Sequence, residues 1–116
     1  MNITPEPMVG EVWDVELDPQ VGTEQAGRRP ALVISNDFFN RTPNGLYFIV
    51  PITGTDRGIR YQLKVYPPEG GLVKPSVFMC DQARAQSVLR FRRHRGSVTP
   101  ELVKQVQAMV AEFIDR

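Results

Sequence analysis

A chain of 116 residues with 41% hydrophobic and 23% charged side chains has room for one small domain, residues 1–116, and enough apolar material for a core of its own. Its single cysteine, Cys80, excludes an intrachain disulfide framework and a Cys-rich zinc site, and its single histidine, His94, excludes any metal site built on two or more imidazoles. The formal net charge of +1 hides a polarity along the chain: six acidic and no basic residues up to Glu24, then five arginines and no acid from Arg84 to Arg95.

Residues 1–9 contain Pro5 and Pro7 and read as a loose arm, without the basic start and long apolar run of a signal peptide, so a reducing, cytoplasmic setting is expected. Glu11 to Leu17 reads as a strand, with Trp13, Val15 and Leu17 on one face and Val12, Asp14 and Glu16 on the other. Asp18 to Arg29 reads as a loop that ends at Pro30. Ala31 to Ser35 is a short apolar strand, buried on both faces. Asn36 to Gly45 is turn-rich, with one helical turn at Asp37 to Asn40. Leu46 to Thr53 is a second buried strand, in which Pro51 predicts an edge or a bulge.

Gly54 to Gly58 is a turn, and Arg60 to Tyr66 alternates with Tyr61, Leu63 and Val65 on one side. Pro67, Pro68, Gly70 and Gly71 form a loop. Ser76 to Asp81 is the next strand, and Gln82 to Gln86 prolongs the extended run. The basic stretch Arg90 to His94 leads to Gly96. Thr99 then predicts an N-cap and Pro100 the first position of an amphipathic helix reaching Asp115, with Leu102, Val106, Met109 or Val110, and Phe113 on its apolar face. Short strands, Gly/Pro turns and one closing helix predict a mainly β fold: a small, partly open barrel with a C-terminal helix packed on it.

The loop from Gly22 to Pro30 gathers a carboxylate (Glu24), a hydroxyl (Thr23), an amide (Gln25) and two guanidinium groups (Arg28, Arg29) beside two glycines. The bland alternative is a surface hairpin with a salt bridge from Glu24 to Arg28 or Arg29. A Ser-His-Asp relay is poorly supplied here, and two-metal phosphoryl transfer lacks its clustered carboxylates. RNA cleavage is better supplied, because the substrate carries its own 2′-OH nucleophile. It needs a proton acceptor and donors for the charge that builds on phosphorus. Glu24, Arg29 and Thr53 form a sufficient minimal set if the fold unites them. Cys80 reads as a small core residue rather than a nucleophile, His94 as a solvated or phosphate-facing side chain, and Trp13 as a core or dimer-contact residue.

Three stretches carry a resemblance. Gly10-Glu11-Val12-Trp13, Leu17-Asp18-Pro19 and the long run from Gly22 through Arg29-Pro30 to Ser35 resemble the MazF/PemK family of toxin endoribonucleases. Val50-Pro51-Ile52-Thr53 and Ser76-Val77 through Asp81-Gln82-Ala83-Arg84 extend the likeness over nearly the whole chain after residue 9. The resemblance implies an SH3-like barrel, a homodimer, and cleavage of single-stranded RNA without metal or other cofactor, leaving a 2′,3′-cyclic phosphate and a 5′-OH. It also implies a cognate antitoxin whose disordered acidic tail fills the RNA groove. Carried residue by residue, it makes Arg29 and Thr53 catalytic. Glu24 becomes a base or orienting group, and Thr23, Gln25, Arg28, Gln82 and Arg84 contact RNA or support the site. Two rival readings are a non-catalytic barrel toxin that inhibits a protein target such as gyrase, and a catalytically weak RNA-binding regulator. Tyr66 to Pro75 has no counterpart in the resemblance.

Overall fold

The computed structural model describes residues 5–17 and 27–114. The N-terminal alternation of apolar and polar residues becomes β1 (Glu11–Leu17), which runs antiparallel to β2 (Gly27–Val33) with Trp13 opposite Ala31 and Glu16 opposite Arg28. After a single helical turn, α1 (Asp37–Asn40), the chain enters β3 (Leu46–Thr53), then β4 (Gln62–Val65), β5 (Ser76–Met79), β6 (Arg84–Ser87) and β7 (Phe91–Ser97). It closes on the helix α2 (Pro100–Glu112). The strands form one antiparallel sheet in the order β4-β5-β3-β2-β1-β7, with β6 also paired to β3. β4 and β7 stay unjoined, so the predicted mainly β, partly open barrel with its C-terminal helix is the observed architecture.

The central parts of β1, β2 and β3 are covered on both faces, and the period of two sorts their side chains into two cores. Val12, Leu32, Val50 and Ile52 join Phe78, Cys80 and the helix residues Val103 and Val106 on one side. Val15, Leu17, Ala31, Val33 and Ile49 join Tyr47 and Phe91 on the other, with Trp13 packed against them. Phe78 is fully buried, which is worth about 2–3 kcal/mol in hydrophobic transfer for one such side chain.

Several boundaries differ from the sequence reading. β2 begins at Gly27, so Arg28 and Arg29 stand on a strand rather than in the loop. Pro51 marks neither an edge nor a bulge. β3 is paired on both sides, and Pro51 falls where one neighbour, β6 at Ile49, gives way to another, β5 at Ile52, a break in the ladder that tolerates a residue without an N–H. The run from Ser76 to Gln86 is not continuous, because a tight turn at Cys80–Gln82 separates β5 from β6.

Thr99 does occupy the N-cap of α2, but its side chain makes no capping bond; its backbone N–H donates to Glu69 Oε1 at 2.9 Å instead. Val103, outside the predicted stripe, is buried, whereas Phe113 is half exposed and meets Tyr61 edge-on at 5.8 Å. At the other end of the chain Pro7 is buried and the Val9 N–H donates to Asp37 Oδ1 at 3.2 Å.

Candidate active site

Strand register builds the site. β2 and β3 pair with Ala31 opposite Pro51. Two residues further along each strand lie Arg29 and Thr53, and both line one cleft of about 180 Å³. The β2–β3 pairing stops at the Ala31–Pro51 pair, where Pro51 has no N–H to give, and the strand ends beyond it flank the cleft. The Thr53 hydroxyl accepts a hydrogen bond from the Thr55 N–H at 3.2 Å. That bond leaves its own proton available to donate.

The opposite wall comes from two distant segments. The tight turn Glu69–Gly71 lies against β7 so closely that a Cβ on Gly96 would stand 2.7 Å from the Gly71 nitrogen, and one on Gly71 would collide with the Arg95 carbonyl oxygen. Only glycines permit this approach. It delivers Lys74 and Arg95 to the cleft that Arg28 and Arg29 enter from β2. Ser76 adds a second hydroxyl, and no Asp or Glu lies among the described lining residues.

Four cations therefore share one cleft, and two of them are compensated. Arg28 Nε lies 3.3 Å from Glu16 Oε2, across the β1–β2 pair. Arg95 Nε donates to Asp14 Oδ1 at 2.6 Å. Among the described residues neither Arg29 nor Lys74 has a carboxylate partner. The basic run is largely a ladder of ion pairs: Arg93 meets Asp14 at 3.3 Å, and Arg92 meets Glu16 at 3.8 Å. The carboxylates of β1 thus offset arginines of β2 and β7 across the strand pairs.

Other candidates lie elsewhere. Thr23, Glu24 and Gln25 fall outside the described residues, as does any Glu24 salt bridge; the described partner of Arg28 is Glu16. Gln82 sits in the turn after β5 and Arg84 on β6 opposite Ile49, and neither lines the cleft. His94 stacks on Trp13 at 5.2 Å, with Nε2 3.5 Å from Glu11 Oε2, away from Arg29 and Thr53. Cys80 is a core residue, and burial pushes its thiol up to about 11. Lys74 and Arg95 are the site residues that sequence reasoning did not single out; the glycines at 70, 71 and 96 are the only trace of the junction that brings them in. A neighbouring cleft of about 150 Å³ holds Asp56, Lys64 and Tyr66 and shares Gly54 and Ser76 with the first.

Residues 8–114 match the family described as the PemK-like, MazF-like toxin of type II toxin–antitoxin systems. The chain belongs to that family. It is 30% identical to endoribonuclease MazF9 of Mycobacterium tuberculosis over 111 residues, covering 91% of this chain and 94% of the relative. In three dimensions it is similar to a crystal structure of MazF (form I) from Deinococcus radiodurans, with a TM-score of 0.82, 25% identity, and coverage of 95% and 97% of the two chains. It is also similar to a chain in the crystal structure of MazE–MazF (form II) from the same organism, with a TM-score of 0.75, 25% identity and coverage of 95% and 96%. Among the described residues no group of three His, Cys, Asp or Glu side chains could hold a metal ion, and no helix is long and apolar enough to cross a membrane.

Proposed function

We propose that this protein is the RNA-cleaving toxin of a toxin–antitoxin pair, a metal-independent endoribonuclease of the cytoplasm that selects short motifs in single-stranded RNA. The observation that carries this reading is the convergence of Arg29 and Thr53 on one cleft whose described lining holds no Asp or Glu. The substrate's 2′-oxygen attacks the adjacent phosphorus, an O2′–P bond forms, and the P–O5′ bond breaks. The products are a 2′,3′-cyclic phosphate and a 5′-OH. Arg29 supplies a permanently charged planar fork for the non-bridging oxygens as negative charge builds on them. Thr53 donates its hydroxyl proton to one of those oxygens, its lone pair being engaged by Thr55 N–H. Glu24 takes or directs the 2′-OH proton, and the leaving 5′-oxygen gains its proton through the hydrogen-bond network of Arg29. Thr23, Gln25, Arg28, Gln82 and Arg84 contact the flanking nucleotides.

The same positive cleft suits the acidic tail of a cognate antitoxin. A second, apolar surface cleft of about 350 Å³, lined by Ile34, Phe48, Val110 and Ile114, is suited to a homodimer contact. The test is cleavage of defined RNAs in EDTA with analysis of the ends. Wild type produces 5′-OH and cyclic-phosphate termini, and Arg29→Ala and Thr53→Ala do not. Cleavage that survives both substitutions overturns the mechanism. Absence of cleavage on varied RNAs, with inhibition of topoisomerase supercoiling, replaces it with the protein-inhibitor reading.

A further inference from the structure

We infer that Lys74 is a substrate-contacting residue: its ammonium holds a phosphate of the RNA backbone beside the linkage whose developing charge Arg29 and Thr53 stabilise. The inference rests on the RNA-cleaving reading and adds a residue to it.

Three observations on different atoms support it. The side chain lies across Gly54, the residue after Thr53: a Cβ at Gly54 would stand 2.6 Å from Lys74 Cε and 2.9 Å from Nζ. Gly54 has no positive φ, so its backbone does not demand glycine, and a side chain there would push the mobile end of the lysine aside. The backbone of Lys74 is also fixed, because Pro75 confines it to extended geometry and the Ser76 hydroxyl donates to its carbonyl at 3.0 Å. Finally, the ammonium lacks a described carboxylate partner, whereas the nearby Lys64 has Asp56 at 3.8 Å. A compact point charge beside a hydroxyl, in a cleft whose described lining holds no Asp or Glu, is suited to a phosphate rather than to a base edge.

The test compares wild type, Lys74→Met, Lys74→Arg, Lys74→Ala, Gly54→Ala and the Gly54→Ala/Lys74→Ala double variant on one RNA, over a range of salt concentrations. Losing one charged contact raises KM about tenfold or more. The salt dependence of binding becomes shallower by about 0.7 in log–log slope, the share of one single-strand phosphate. The cleavage motif is unchanged, and Lys74→Arg restores most of the affinity. Gly54→Ala reproduces the defect in the presence of Lys74 but adds nothing to Lys74→Ala, because there is then no side chain to displace. A purely structural role would alter melting temperature but not the salt slope. If wild type cleaves RNA and Lys74→Met matches it in KM and slope, the Lys74 inference falls while the cleavage reading stands. If wild type cleaves no RNA, the reading falls and the inference with it.

Discussion

Arg95 and Asp14 are 81 positions apart in the chain and 2.6 Å apart in the fold. Asp14 is a nearly buried carboxylate on β1, and Arg95 lines the Arg29–Thr53 cleft from β7. The pair therefore ties the wall of the cleft to the central sheet. Asp14→Asn is expected to cost about 1–3 kcal/mol in a urea titration, since the partly buried guanidinium loses its charged acceptor. Glu16→Gln touches the more exposed Arg28 and Arg92 and should cost less than about 1 kcal/mol. Equal losses for the two would contradict this assignment.

Thr53 distinguishes a hydroxyl requirement from a shape requirement. Thr53→Ser keeps both the acceptor for Thr55 N–H and the donor, and should retain most cleavage of a fluorogenic RNA. Thr53→Val keeps the shape and should lose about 100-fold in kcat, the usual cost of removing one donor to a developing oxyanion.

Core substitutions should follow burial rather than residue type. Phe78→Ala opens a cavity in a fully buried position and should destabilise by about 3–5 kcal/mol. Phe113→Ala, at a position 46% exposed, should cost less than about 1.5 kcal/mol in a monomer. Equilibrium unfolding monitored by Trp13 fluorescence measures both.

Alkaline pH should weaken the fold through Cys80. Burial raises its pKa from 9.0 to about 11, so the folded chain holds a proton that the unfolded chain releases between those values. Stability is full below pH 9 and declines as pH rises toward 11. Tyr47 acts in the same direction, its hydroxyl raised first by burial and then by Glu6, Asp37 and Glu11. Cys80→Ala should flatten the lower part of the decline in melting temperature. Native Cys80 should also resist alkylation at pH 8 until the protein is unfolded.

Local chemistry made much of this fold legible. The alternation of Glu11 to Leu17, the apolar run Ala31 to Val33, and Thr99-Pro100 ahead of a helical stripe each name their element without knowledge of the partner strand. Register and long-range junctions do not write themselves into a short window. Pro51 looks like an edge residue until β5 and β6 are seen to divide β3 between them. The arginine run looks like a free basic strand until β1 is laid beside it in register. Arg29 and Thr53 could be named from their motifs, whereas Lys74 and Arg95 depend on where the 69–72 turn crosses β7.

The crossing of Gly71 and Gly96 is main chain against main chain, so the aperture above Arg29 is set by two bare backbones and not by interlocking side chains. Leu72 is held in the core just after that crossing, and Val73 and Lys74 reach the cleft beyond it. Rewriting Val73 and Lys74 would change the charge and shape of that rim without moving it, while any side chain larger than hydrogen at either glycine would prise the jaws apart.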